Sequence, residues 1–293
     1  MSLVFVVLAP FFGALLPLWL QRFGRVHAAW GAGAATLLGL IVLAPLTVDV
    51  FGGKTLVVSW PWIPQFGLDL AFRLDGLGML FALLILGIGL LIILYARYYL
   101  PHDDRLGRFY AYLLLFQGAM LGIVLSENLL VLLIFWELTS LTSFLLIGYR
   151  SHLAESRQAA RMALAITGAG GLAMLGGFIL LGEIVGSYAL SDVLAAGDLI
   201  RGHDLYVPTL MLILLGAFTK SAQVPFHFWL PGAMAAPTPV SAYLHSATMV
   251  KAGVFMLARL FPAFSGTDMW FYTVGPIGLI TLLLAAYWAL FKH

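Results

Sequence analysis

Residues 216–259 read GAFTKSAQVPFHFWLPGAMAAPTPVSAYLHSATMVKAGVFMLAR, and this stretch decides what kind of chain this is. It is apolar at both ends and long enough to cross a membrane twice. Yet it holds Lys220, Lys251, His227 and His245, with Pro225, Pro231, Pro237 and Pro239 among them. A lysine at the centre of a bilayer costs about 2.5–3.5 kcal/mol on insertion scales. Proline in a spanning helix frees backbone carbonyls that other groups must satisfy. Two such costs in one segment point to ion handling rather than anchoring.

Composition widens that reading to the whole chain. Of 293 residues, 62% are hydrophobic and 10% charged, and the mean hydropathy is +1.02. Ordinary soluble domains are nearer half apolar and a quarter charged. The class is a polytopic membrane protein. Net charge is only +2, and the basic residues are spread over loops, which gives no nucleic-acid footprint. Cysteine is absent, which excludes thiolate metal sites and iron–sulfur clusters. No HExxH motif, clustered His/carboxylate set or GxSxG elbow appears, so neither metal catalysis nor a serine hydrolase is expected. No cofactor is expected either. The N-terminal run lacks a basic n-region and is long enough to span, so it reads as a retained first helix.

Apolar runs predict spanning helices near 2–20, 28–46, 76–96, 110–126, 128–148, 162–183, 207–230 (broken), 238–260 and 270–290. The stretch 47–75 differs. Its β-branched and aromatic residues around a Pro/Gly turn predict a short surface hairpin, with Trp60 and Trp62 at the interface. Arg22, Arg25, Arg97, Arg105, Arg108, Arg150, Arg157, Arg161 and Lys292 fall on one side of this map. Lys54, Arg73, Arg201 and Arg259 fall on the other. The richer side is expected to be cytoplasmic, with the hairpin outside. GAGGLA at 168–173 sits inside an apolar run without a preceding strand, so it reads as close helix packing, as do Gly118 and Gly122.

Three ionisable groups lie deep in the predicted spans. Glu137 is about 13 Å along its helix from Asn128. Lys220 and Lys251 sit about 20 and 19 Å into theirs. A nearby carboxylate changes which protonation state a desolvated amine favours. Moving Glu137 relative to Lys220 would therefore toggle the amine, which is what a proton relay requires. The alternative is a static ion pair locking two helices; buried pairs contribute little net stability, which weakens it. His245 lies about 9 Å from Lys251 along the axis and about 120° around it, so the two do not share a face. Histidine nevertheless suits proton passage. His227 lies between two prolines and is placed equally well as a cap for freed carbonyls. Thr219, Ser246 and Thr248 are accessory candidates, each more simply a packing hydroxyl. Glu127 and Asn128 read as helix caps.

These residues resemble a known family. The span 216–253, through HSATMVKAG, is similar to the central signature of antiporter-like subunits of respiratory complex I, membrane-bound hydrogenases and Mrp-type cation/proton antiporters. RLDGLGMLFALLILGIG at 73–89, LYARYYL at 94–100, GAMLGIVLSENLLVLLIFWELTSLTSFLLIGY at 118–149 and Lys251 resemble the large (A) subunit of the Mrp type. The nine runs above, with the seventh broken, give an all-α membrane fold, and the resemblance implies that it is the first half of an inverted-repeat antiporter-like module of about fourteen helices. It implies three helices with the hairpin over 1–109, a five-helix proton-channel repeat over 110–260, and the first helix of an incomplete second repeat over 261–293. Glu137, Lys220, His245 and Lys251 match the family's proton-path residues. The implied function is proton translocation within a multisubunit Na⁺/H⁺ antiporter, not an enzyme. The alternative is a pumping subunit of a complex I or hydrogenase assembly. The implied partners are other subunits, protons, Na⁺ and lipid, in a bacterial inner (plasma) membrane. The family continues where this sequence ends, so a truncated or split large subunit is expected.

Overall fold

The computed structural model describes residues 2–101 and 104–291; Lys292, one of the basic residues counted above, lies outside them. The helices are α1 (Ser2–Phe23), α2 (Arg25–Leu43), α3 (Gly76–Tyr99), α4 (Leu106–Leu125), α5 (Leu129–Ile147), α6 (Ala154–Val185), α7 (Tyr206–Lys220), α8 (Thr238–Phe264) and α9 (Asp268–Phe291). Among the described residues, eight are long and apolar enough to cross a membrane, and α7 is the shorter ninth. Its 15 residues span about 22 Å, short of a hydrocarbon core of about 30 Å. The predicted run to residue 230 therefore stops at Lys220.

Helix α4 is the axis of the bundle, buried along most of its length, and packs against α1, α2, α3 and α5. Helices α5, α6, α7 and α8 follow as a chain of neighbours. The small residues do what the sequence implied. Gly118 meets the Phe11 ring and Gly122 the Phe135 ring. At the α7–α8 crossing, a Cβ on Gly253 would overlap the Ala217 carbonyl oxygen and the Ser221 hydroxyl. Backbone cannot give way as a side-chain tip can. Gly253→Ala is therefore expected to destabilise the full-length protein by about 1–3 kcal/mol, seen as a lowered melting temperature in detergent. Gly202→Ala, with open space around it, should leave that temperature unchanged.

Strands β1 (Leu56–Ile63) and β2 (Leu68–Leu74) pair antiparallel, from Leu56 opposite Leu74 to Ile63 opposite Leu68. Gly67 turns the chain with φ +63°, a conformation that suits glycine. The strands begin later than the predicted 47–75, because Leu46–Phe51 forms a short helix first. The hairpin is latched to the bundle. Phe72 bridges Ser126, and Asn128 Nδ2 donates to the Gly67 carbonyl at 2.8 Å.

A chain of charges binds the same end of the molecule. Asp75 caps α3 through Gly78 N–H at 2.9 Å. It also accepts from Arg73 Nε at 3.0 Å and from Arg259, at 2.9 Å for one of the two bonds. Arg73 continues to Glu127 at 3.5 Å. Asn128 caps α5 through Leu130 and Val131 N–H, as expected. Glu127 does not: its Oε1 accepts from Ser191 N–H at 2.9 Å, starting the short helix Leu190–Ala195. Arg25 donates to the carbonyls of Leu100 and Pro101, and Tyr149 to that of Arg105. Arg73 and Arg259 thus lie with the hairpin, and Arg25 and the Arg105 carbonyl lie at the opposite end.

Candidate functional site

The site forms where α7 stops. Pro225 and Pro231 have no N–H to give, so the chain after Lys220 cannot continue the ladder. Ala222 takes φ +50°, and a turn at Phe226–Phe228 leads into the helix Trp229–Ala233. The freed carbonyls find other donors. Gln223 N–H donates to Phe218 O at 2.9 Å, and Trp229 Nε1 donates to Thr219 O at 3.0 Å.

Lys220 has no exposed surface. Its Nζ donates to the Ser140 hydroxyl at 2.7 Å and to the Trp136 carbonyl at 3.0 Å. It also sits 5.1 Å from the centre of the Trp136 ring, within cation–π range. Glu137 is the next residue on the same turn of α5. Its carboxylate points instead into the surface of α6, where Gly171 leaves room for it and Gly168 lies beside it. Among the described residues, no carboxylate lies within 4 Å of Lys220, and Glu137 Oε1 is buried without a hydrogen-bond partner. Lys220 of α7 reaches the turn of α5 that carries Glu137 without forming the locked ion pair.

Helix α8 is interrupted as well, which the sequence map left as a continuous run. Thr238–Ser241 gives way to a π-helix over Ala242–Ala247, and regular helix resumes at Met249. His245 sits in that π segment with its ring 6.0 Å from the Trp229 ring and both ring nitrogens buried and unpartnered among the described residues. Trp229 therefore stands between His245 and the backbone beside Lys220. Lys251 is not brought into this group; it is exposed in the first turn after the break. His227 packs its ring 5.0 Å from that of Trp288 on α9.

The accessory hydroxyls all turn back on backbone. Thr219 donates to Gly216 O at 2.9 Å, Thr248 to Tyr243 O at 2.7 Å, and Ser246 to Ala242 O. Sequence reasoning missed Trp136, Ser140 and Trp229. A signal for Ser140 existed, since Thr139, Ser140, Thr142 and Ser143 crowd one apolar helix.

A family model described as the transmembrane part of NADH:quinone oxidoreductase and the Mrp antiporter matches residues 126–293, more than half of the chain. The chain belongs to this family. A second model, for the N-terminus of chain 5 of complex I, matches residues 60–110 of the antiporter-family chain. It is 56% identical over 98% of its length to the A/B-type subunit of a probable K⁺/H⁺ antiporter of Rhizobium meliloti, covering 29% of that protein. It is 48% identical over 94% of its length to the A-type subunit of the Na⁺/H⁺ antiporter of Alkalihalophilus pseudofirmus, covering 34% of it. The chain thus spans about a third of the length of these curated relatives. Among solved structures, the Mrp complex from Dietzia sp. DQ12-45-1b matches with TM-score 0.88 at 35% identity, over 99% of this chain and 31% of that one. A membrane-bound sulfane sulfur reductase matches at 20% identity with TM-score 0.82 over 97% of this chain and 46% of that one, a likeness of fold.

Proposed function

We propose that this multi-pass chain is the part of an antiporter subunit that carries protons to the membrane midplane, within a multisubunit Na⁺/H⁺ exchanger. It acts as a transporter subunit rather than an enzyme, in a bacterial plasma membrane with the hairpin outside, and other subunits complete the assembly. Residues 110–260 are its proton-channel repeat, preceded by the three helices of 1–109, and 261–293 opens a second repeat. Glu137, Lys220 and His245 relay the proton through the buried part of the path, and Lys251 takes it on from the exposed side of α8, with His227, Thr219, Ser246 and Thr248 accessory.

One observation carries this reading. The Lys220 amine, at the end of α7, is wholly buried against the turn of α5 that bears Glu137, yet it is held by a carbonyl and a hydroxyl. A neutral cradle lets the lysine lose its proton without stranding a bonded carboxylate, whereas a tight ion pair resists that loss. Intramembrane ionisable residues mark such pathways.

The test uses the full-length subunit in its complex, in vesicles with a pH-sensitive dye. Glu137→Gln and Lys220→Met are each expected to abolish sodium-driven proton exchange while the complex still assembles. Unchanged exchange in an assembled variant would sink the proposal. Potassium in place of sodium identifies the cation, since the two relatives above carry different names. The family's other branch gives a second reading, a pump subunit driven by a redox reaction; co-purifying subunits bearing flavin or iron–sulfur groups would select it.

A further inference from the structure

A cavity of about 330 Å³ opens at the end of the bundle away from the hairpin, where α4 begins, α5 ends and α6 begins. Arg108, Arg157 and Arg161 line it, with no acidic residue among its described lining. Its other wall is apolar and aromatic, from Phe144 and Leu145 on α5 to Tyr149 just beyond it. Two of the arginines are held in place. Arg108 lies over the Tyr149 ring, 5.5 Å from its centre, and its Nε is buried without a partner among the described residues. Arg157 is pinned through one terminal nitrogen to the carbonyls of Ser151 at 2.8 Å and His152 at 3.1 Å. Its remaining N–H groups are left to other acceptors. Arg161 is exposed one turn further along α6, and among the described residues none of the three has a carboxylate within 4 Å.

We propose that this cavity binds the phosphodiester headgroup of an anionic phospholipid. Guanidinium groups bond phosphate oxygens in forked pairs, which suits fixed arginines better than mobile lysines. The cavity lies at a helix-end level, so a headgroup seated there leaves its acyl chains free to run along the bundle. Phe144 and Leu145 supply the apolar side of such a contact. The end it occupies is the one expected to be cytoplasmic, and anionic lipids enrich that leaflet. Basic pockets between spanning helices on that side are a recurring place for such headgroups. This inference does not depend on the proton relay, because no relay residue lines the cavity.

The test is native mass spectrometry of the full-length subunit in its complex, released from detergent after titration with phosphatidylglycerol or phosphatidylcholine. Phosphatidylglycerol is expected to be retained in preference to phosphatidylcholine. Arg108→Gln/Arg161→Gln is expected to weaken that retention about 30-fold, from roughly 1 kcal/mol for each basic residue. Arg22→Gln/Arg97→Gln removes the same charge from the same end without touching the cavity and is expected to leave retention unchanged. Should the first double variant fail to assemble, Arg161→Gln alone is exposed enough to read, with about a fivefold loss. Equal retention by wild type and cavity variants would overturn the proposal. So would displacement of the lipid by inorganic phosphate at matched concentration, which would make the cavity a site for the free ion.

Discussion

Asp75→Ala is expected to destabilise the chain by about 3–5 kcal/mol, because it strands a buried guanidinium. Arg259 is 6% exposed, and its other neighbour is the Phe255 ring, 5.1 Å away. The substitution also removes the side-chain cap of α3, worth about another 1 kcal/mol. The measurement is the melting temperature of the full-length protein in detergent. Asp75→Ala/Arg259→Met should recover much of the loss, since it leaves no orphaned charge. A double variant no more stable than the single would show that charge pairing is not the cause. Acid gives an independent check. Burial by itself would raise the Asp75 pKa, but the bonds and charge of Arg259, the Gly78 N–H and Arg73 outweigh it and hold the carboxyl well below the usual carboxylate range. A depressed folded-state value means that the contribution is complete above the unfolded value of about 3.9 and is lost as pH falls below it. Asp75→Ala should lack that acid-sensitive part of the wild-type profile.

Gly171→Ala is expected to cut proton exchange about 100-fold while leaving assembly intact. A Cβ there would overlap Glu137 Oε1 and sit 2.8 Å from its carboxyl carbon. The obstructed group is the end of a flexible side chain, so α6 stays in place and the carboxylate moves. Displacing a reacting group by about 1 Å is enough for a loss of this size. Gly170→Ala makes the contrast. There the obstacle is the Thr219 side chain with its Cβ 2.8 Å away, and a short branched group cannot swing clear. Gly170→Ala should part α6 from α7 and lower the melting temperature. Equal melting and unchanged exchange in Gly171→Ala would remove Glu137 from the relay as placed here.

Sequence legibility followed the physics of each element. The long apolar helices were readable because hydrocarbon permits few other backbone solutions. The hairpin was readable from its β-branched run around Pro64 and Gly67, although Leu46–Phe51 was absorbed into it. The break after Lys220 was legible because proline removes a donor. The π-helix at Ala242–Ala247 was not, since shifting a hydrogen bond by one residue needs no special side chain. Pairings across the chain were also hidden. Nothing local says that Ser140 meets Lys220, 80 residues on. Arg259 stands near the end of the predicted 238–260 helix, and nothing local says that Asp75, 184 positions earlier, holds it. Lys251 was expected at depth from its distance along α8, but depth along an axis does not say which way a side chain faces.

The Asp75–Arg259 pairing has a consequence for how the protein is made. Translation runs at about 5–20 residues per second, so Asp75 leaves the ribosome roughly 10–40 seconds before Arg259. During that wait the carboxylate already has a companion, because Arg73 lies two residues upstream and bonds it directly. The nascent α3 can therefore enter the bilayer with its terminal charge neutralised, and the late-arriving arginine closes a junction whose other half was held ready.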